Sequence, residues 1–287
     1  MRKPLVRILI WLGIMAALTL LAMLIWTLAT GGSQSTSSLK WLQFLQTLGT
    51  FLLPPMIGAW LWAEHKPLHW LRLNRAFSWQ TALLAIAIML CAIPAINLLA
   101  DLNSRVVLPK SLDFIEQILR QQEDAAAQLT ERFLQADNIG TLLINICLMA
   151  LLPALAEELS FRGTLQQILN YKTSDSNAHI AIWTTAFIFS AIHMQFYGFI
   201  PRMLMGAMFG YIFIWTGSLW VPVLMHFTNN GIAVLAYYIF GETGENHTWA
   251  DTIGSGSSWW LGVLSIIVTI VLLWIIYTIN KQKTQTV

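Results

Sequence analysis

The amino-acid sequence predicts an all-α, polytopic integral membrane bundle of about eight transmembrane helices with one amphipathic surface helix. Hydrophobic residues make up 56% of the 287 residues and charged residues only 10%, whereas about a quarter of the residues in a soluble domain are charged. The mean hydropathy is +0.62, and the apolar residues are concentrated in runs near the roughly 20 residues that span a bilayer. These observations exclude an ordinary soluble domain.

Eight apolar runs are long enough to be predicted as membrane spans. The first follows Arg2, Lys3 and Arg7, as a signal peptide would, but it exceeds the apolar core of about 7–15 residues of such a peptide. We therefore expect a retained anchor. The second run contains Pro54 and Pro55, which predict a kinked or broken helix. The predicted spans are 8–29, 41–63, 79–99, 139–169, 179–196, 199–215, 219–240 and 259–279.

One long polar connection, residues 101–138, separates the third and fourth spans. Ser111 is the predicted N-cap of a helix there, with Asp113 in its first turn, where the helix dipole favours a carboxylate. Apolar residues recur at helical spacing, which indicates an amphipathic helix on the membrane surface or folded over the bundle. A solvent-exposed linker helix with no role in access is the alternative. The apolar positions are Leu112, Ile115, Ile118, Leu119, Leu129 and Phe133.

The spans divide the chain into four predicted segments. Residues 1–100 hold three helices, 101–138 the polar connection, 139–241 a core of four helices, and 242–287 a loop and the last helix. Lys and Arg are more frequent in the loops on the side of both termini, and Lys40 is counted in a loop on the other side. This bias predicts cytoplasmic termini, in a multi-pass protein of a bacterial plasma (inner) membrane. The lipid bilayer is thus an expected partner. The net charge of +2 predicts no nucleic-acid partner.

Two adjacent carboxylates, Glu157 and Glu158, lie inside the fourth predicted span. A charged side chain at the centre of a membrane helix costs about 2.5–3.5 kcal/mol on insertion scales, so such residues usually have a function. Glu158 and Arg162 are four residues apart in the favourable order for an ion pair. Neighbouring residues of a helix point about 100° apart, so the two carboxylates are not expected to face the same partner. Glu157 is then left for another partner.

Polar side chains at membrane depth occur in two further spans. His226 and Asn230 are four residues apart and share a helix face, and His193 lies on a neighbouring helix. With Glu157 they would form a pocket of one carboxylate, two imidazoles and one amide. Intramembrane His and Asn also serve as contacts that hold helices together. The whole set, with a carboxylate left after ion pairing, instead favours a general base with oxyanion donors or metal ligands, suited to hydrolysis by water.

Three short motifs carry this pattern: Glu-Glu-x-x-x-Arg, Phe-x-x-x-His and His-x-x-x-Asn. Their order and spacing resemble those of the CAAX-protease and bacteriocin-processing (CPBP, or ABI) family of intramembrane proteases. The resemblance covers residues 139–240, about a third of the chain, and the eight-helix architecture of that family agrees with the predicted spans. The motif residues are Glu157, Glu158, Arg162, Phe189, His193, His226 and Asn230.

The resemblance implies roles for these residues in an endopeptidase that cuts a peptide or membrane-protein substrate. Glu157 would be the base that activates water, and Glu158 and Arg162 would support the site. The residues that would line the pocket and stabilise the oxyanion are His193, His226 and Asn230. The resemblance leaves open whether the substrate is prenylated.

The family has been described both as metalloproteases and as metal-independent glutamate proteases. Glu157, His193 and His226 would be the ligands of a divalent metal such as zinc. The motif His-Glu-x-x-His, which predicts zinc more strongly, is absent from the sequence. Both mechanisms therefore stay open.

Two other classes of protein compete with the protease. Glu and His chains also relay protons in transporters, but transporters usually contain internal repeats with broken helices, and the two halves of this chain show no such duplication. A catalytically silent immunity or scaffold protein on the same fold is the other alternative. The intact set of Glu157, His193, His226 and Asn230 favours the enzyme.

Overall fold

The structure, a computed structural model, describes residues 4–63, 66–170, 175–241 and 252–285, and all regular elements within these residues are helices. The all-α prediction is therefore confirmed. The helices are α1 Pro4–Thr30, α2 Thr36–Trp62, α3 Pro67–Trp70, α4 Trp79–Ser104, α5 Asp113–Leu134, α6 Ile139–Leu169, α7 Asp175–Ala191, α8 Phe199–Thr216, α9 Trp220–Phe240 and α10 Trp259–Gln285.

Seven of the described helices are long and apolar enough to cross a membrane, namely α1, α2, α4, α6, α8, α9 and α10. The protein is therefore an integral membrane protein. The remaining predicted span, 179–196, corresponds to α7, which has 17 residues and packs against α8. Its length is at the lower end of the range of about 17–25 residues for a membrane helix. Most of the acidic loop predicted before the last helix, residues 242–251, lies outside the described residues.

The predicted end of α7 at Phe196 is wrong, because the helix ends at Ala191. The last bonds tighten, with the amides of His193 and Met194 donating to the carbonyls three residues earlier. Met194 then adopts a left-handed conformation with φ 54°, which an α-helix cannot continue through.

Helix α2 runs through Pro54 and Pro55 without a break, where the sequence predicts a kinked or broken helix. A π-helical segment, Thr47–Leu52, precedes Pro54 and Pro55, and the Leu53 amide donates to the Leu48 carbonyl five residues earlier. The wider turn lets the helix pass the position where Pro55 has no N–H for the Phe51 carbonyl. That carbonyl accepts a hydrogen bond of 2.7 Å from the Ser160 hydroxyl on α6.

A serine side chain also binds the backbone beside a proline where α4 contacts α10. Next to Pro94 in α4, the Ser265 hydroxyl of α10 accepts a hydrogen bond of 3.1 Å from the Ala95 amide. It also donates to the Cys91 carbonyl. Backbone groups have no water to bind in the bilayer core, so a neighbouring helix must satisfy those that a proline displaces.

Helix α5 is the predicted amphipathic helix at the surface of the bundle. It begins at Asp113, in the predicted first turn, after a 3-10 turn at Lys110–Leu112. The predicted Ser111 cap is wrong, because Leu112 occupies the cap position and no side chain caps the helix. Phe114 is 75% exposed and Leu129 40%. Exposed apolar side chains on a surface helix favour a position at the lipid interface.

A buried amide connects α5 to α2 and α6. Asn145 is completely buried and accepts a hydrogen bond of 2.6 Å from the Lys40 ammonium. Its amide nitrogen donates to the Leu134 carbonyl at the end of α5, at 3.0 Å. The prediction that Lys40 lies in a loop is wrong, because α2 begins at Thr36 and includes it. The ammonium at the start of this helix therefore has a partner inside the bundle.

Helix α6 has the central position, with contacts to α2, α7, α8 and α9. Helix α4 lies against α9 and α10 on the other side, and the Asn103 side chain at its end binds the turn before α8 by donating to the Phe196 carbonyl at 3.1 Å. The division of the chain into four segments stays a prediction. These contacts place α6 where its polar residues meet those of three neighbouring helices.

We expect Asn145→Ala to lower the free energy of unfolding by about 1–3 kcal/mol, because it leaves the Lys40 ammonium and the Leu134 carbonyl without their partner. Thermal unfolding in detergent measures the effect, with Gln117→Ala on the exposed part of α5 as control. Lys40→Met together with Asn145→Ala should cost less than the sum of the single changes, since the pair is coupled. Wild-type stability of Asn145→Ala would contradict this account.

Candidate active site

The predicted ion pair between Glu158 and Arg162 is present and lies in the interior. The Arg162 Nη1 atom donates to Glu158 Oε1 at 2.7 Å, and both side chains are completely buried. Arg162 Nη2 donates to the Gly206 carbonyl of α8 at 2.8 Å. Loss of either partner would leave an uncompensated buried charge, which is strongly destabilising. This pair therefore fixes the rotation of α6 and its distance from α8.

Arg162 is also enclosed by aromatic rings from two other helices. Its guanidinium carbon lies 4.8 Å from the ring centre of Phe189 on α7 and 5.4 Å from that of Phe209 on α8. Gly206 permits the close approach of α8 to α7, because a Cβ atom at this position would lie 3.3 Å from Ala186 of α7. A cation over an aromatic face is stabilised by the ring quadrupole, more strongly when both are desolvated. The guanidinium is thus held from α6, α7 and α8.

His226 on α9 lies between the two carboxylates. Its Nδ1 atom is 2.9 Å from Glu158 Oε1, and its Nε2 atom is 3.9 Å from Glu157 Oε2. The expectation that the carboxylates face different partners is therefore wrong, because opposite nitrogens of one imidazole face both. Since Glu158 Oε1 already accepts from Arg162, Nδ1 is assigned as the donor to Glu158. This leaves Nε2 directed toward Glu157.

His193 follows the end of α7 and reaches the site from the turn before α8. Its Nδ1 atom is 2.7 Å from the Phe189 carbonyl. A carbonyl only accepts hydrogen bonds, so Nδ1 is assigned the proton, and in the neutral ring Nε2 has a free lone pair. The left-handed Met194 beside it, φ 54°, is a strained conformation of the kind found at functional sites. The hydrogen bond to the Phe189 carbonyl fixes the direction of this imidazole.

Asn230 on α9 is positioned by a proline of α6. Pro153 has no N–H for the Met149 carbonyl in the α-helical pattern, and that carbonyl accepts from Asn230 Nδ2 at 3.3 Å. The Asn230 Oδ1 atom accepts from Asn229 Nδ2 at 3.1 Å. Both ends of the Asn230 amide are therefore engaged, and Nδ2 keeps one N–H for another acceptor.

One cavity of about 270 Å³ brings these groups together. It includes the four predicted site residues Glu157, His193, His226 and Asn230. Glu158 and Arg162 lie behind its wall, completely buried. The residues that line it are Glu157, Phe189, His193, Arg202, Met205, Phe209, His226, Asn229 and Asn230.

The sequence reasoning missed two polar residues of this cavity, Arg202 and Asn229. Arg202 is near the start of the sixth predicted span and lies in the first turn of α8. Its position in a span that follows directly after His193 was the available signal. Asn229 was visible only as the neighbour of Asn230, and nothing in the sequence distinguished it.

The candidate metal ligands do not form a metal site in this arrangement. Among the residues that the structure describes, no group of three His, Cys, Asp or Glu side chains is placed to hold a metal ion. We therefore derive no step through a metal at Glu157, His193 and His226.

Comparison with known proteins agrees with the motifs. Residues 139–232 match the model of the type II CAAX prenyl endopeptidase Rce1-like family. Over 87 residues the chain is 36% identical to an uncharacterized protein of Bacillus subtilis (strain 168), YpbD, a match that covers 29% of this chain and 40% of that protein. The chain thus spans less than half of the length of this relative. No solved structure matches.

The matched segment contains α6, the two helices that follow and most of α9 through Asn230, and so includes all the motif residues on which the resemblance rests. The resemblance to the CPBP family is therefore confirmed for this part of the chain: residues 139–232 are similar to the Rce1-like family of CAAX prenyl endopeptidases.

Proposed function

We propose that the protein is an intramembrane endopeptidase in which Glu157 activates the water that cleaves a peptide bond. The contrast between the two adjacent carboxylates carries this proposal. Glu158 is buried and bonded to both Arg162 and His226. The Glu157 side chain is 17% exposed toward the cavity, and among the described residues the one basic side chain within 4.0 Å of it is His226, at 3.9 Å. A carboxylate in a cavity without a direct partner is available as a general base.

The first step that we propose is attack by water. A separation of 3.9 Å between His226 Nε2 and Glu157 Oε2 is too long for a direct hydrogen bond, so this imidazole does not occupy the carboxylate oxygen that would bind the water. Glu157 takes one proton as the water oxygen bonds to the scissile carbonyl carbon. The lone pair of His193 Nε2 accepts a hydrogen bond from the second O–H and orients the water. Glu157 and His193 line the same cavity.

The second step is collapse of the tetrahedral intermediate. Its oxyanion accepts a hydrogen bond from the free N–H of Asn230 Nδ2, which Met149 and Asn229 hold in direction. Such preorganised donors are among the largest contributions to acyl-transfer catalysis. Protonated Glu157 passes its proton to the amide nitrogen as the C–N bond breaks, and the remaining water proton leaves with the new carboxyl group. The mechanism does not use the expected contribution of His193 and His226 to the oxyanion site, because the assigned tautomers leave Nε2 of each ring as an acceptor.

The setting that we propose is a bacterial plasma membrane with both termini in the cytoplasm. The distribution of Lys and Arg supports this orientation. A peptide or membrane-protein substrate would reach the cavity from the bilayer or its surface.

Glu157→Gln is expected to reduce cleavage by about 10²–10⁴-fold, because a neutral amide cannot take the proton from water. The test compares the peptide termini in membranes of cells that produce the wild-type protein with those in cells that produce Glu157→Gln. Glu131→Gln on the exposed face of α5 is the control with the same change of charge. Termini that depend on Glu157 identify the substrate.

The proposal fails if Glu157→Gln cleaves the identified substrate at the wild-type rate. Ion flux through the purified protein in proteoliposomes that requires Glu157 would instead support a proton-coupled transporter. Equal termini in the two membranes, with both proteins folded, would support the silent immunity or scaffold protein.

Glu158→Gln is expected to act mainly on folding. Removal of one partner of a buried ion pair leaves an uncompensated charge and costs about 3–5 kcal/mol. Thermal unfolding in detergent should show a large loss for Glu158→Gln and for Arg162→Ala, and wild-type stability for Glu157→Gln. Glu158→Gln combined with Arg162→Met should recover part of the loss, since neither charge then remains. Wild-type stability of Glu158→Gln would contradict a supporting role for this residue.

A further inference from the structure

Arg202 is a second guanidinium beside the cavity, and the mechanism above does not use it. It lies in the first turn of α8 and lines the same cavity as Glu157 and His193. Arginine at membrane depth is costly and is usually paired or part of a substrate path. The hydrogen-bond and ion-pair partners of Arg202 therefore indicate the function of its charge.

The turn before α8 holds the Arg202 side chain in one position. Its Nη2 atom donates to Gln195 Oε1 at 2.7 Å. Gly198 leaves room for the guanidinium, because a Cβ atom there would lie 3.1 Å from Nη2. A long side chain loses much conformational freedom when it is held in this way. The guanidinium is thus prepositioned at the edge of the cavity.

The other terminal nitrogen of Arg202 has no acceptor. Nη1 is buried and, among the residues that the structure describes, makes no hydrogen bond. No Asp or Glu oxygen of the described residues lies within 4.0 Å of the guanidinium. Glu123 and Glu157 interact with it only electrostatically at longer range. Arg162, by contrast, donates from both terminal nitrogens.

A prepositioned cation with a free donor is suited to an anionic ligand, and a carboxylate matches the planar fork of a guanidinium. The cavity of about 270 Å³ is slightly smaller than the roughly 300–1,000 Å³ of typical ligand pockets. A group bound at Arg202 is therefore close to one that faces Glu157.

We propose that Arg202 binds a carboxylate of the peptide substrate, so that the enzyme selects peptides with an acidic group close to the cleaved bond. That the ligand is a peptide rests on the proposed function. The carboxylate can be the C-terminus of the substrate or the side chain of an Asp or Glu. Gln195 acts as a positioning residue that directs Arg202.

Binding of three small peptides to the purified full chain in detergent tests the proposal without any need for cleavage. The probes are N-acetyl-trileucine, its C-terminal amide, and the amide of N-acetyl-leucyl-aspartyl-leucine. At least one of the two carboxylate probes should bind about tenfold or more tightly than the trileucine amide, because a charge-assisted hydrogen bond is lost in that amide. The better carboxylate probe identifies the source of the anion. Equal binding of all three, or binding of none, overturns the proposal.

Variants assign the preference to Arg202. Arg202→Gln should bind acid and amide equally, and Arg202→Lys should keep part of the preference, since lysine retains the charge but not the fork. Arg105→Gln, at an exposed arginine outside the cavity, should keep all of it. A preference that survives in folded Arg202→Gln overturns the proposal. If Glu157→Gln loses cleavage but the wild type binds the acid and the amide equally, only the anion site is rejected. If the wild type prefers the acid but Glu157→Gln cleaves normally, only the mechanism is rejected.

Discussion

The completely buried guanidinium of Arg162 is the group on which the site depends. It donates to Glu158 on its own helix and to the Gly206 carbonyl of α8, and it lies over aromatic rings of α7 and α8. Glu158 in turn accepts from His226 of α9. Four helices therefore meet at one ion pair. Because an unmatched charge here would be very costly, the helices have little freedom to rotate, and Glu157 is held at the cavity.

The need to hydrogen-bond backbone carbonyls within the bilayer links the fold to the candidate site. A proline in the middle of a helix removes a donor, and in the bilayer core a neighbouring helix can satisfy the carbonyl that is left. Ser160 binds the Phe51 carbonyl that Pro55 leaves free, and Asn230 binds the Met149 carbonyl that Pro153 leaves free. The second of these contacts also directs the candidate oxyanion donor. A requirement of the membrane thus positions a residue of the site.

Structural features that follow from the local sequence were predicted better than those that depend on contacts between helices. The length and hydropathy of the apolar runs were sufficient to predict seven of the eight spans, and the four-residue spacing was sufficient to predict the ion pair of Glu158 with Arg162. The π-turn before Pro54 and the end of α7 depend on local backbone geometry that periodicity does not contain. The position of His226 between two carboxylates and the entry of Arg202 into the cavity depend on how separate helices pack. A single sequence carries no direct signal for either.

The central claim is that water, activated by Glu157, attacks the peptide bond directly. A single turnover of the wild-type protein in water enriched in oxygen-18, with its substrate in limiting amount, tests it most directly. The account predicts that the new carboxyl terminus carries one oxygen-18 atom in the first turnover. A first-turnover product without the label, with its new oxygen taken from the Glu157 carboxylate, would show that Glu157 attacks the substrate itself and would contradict the account.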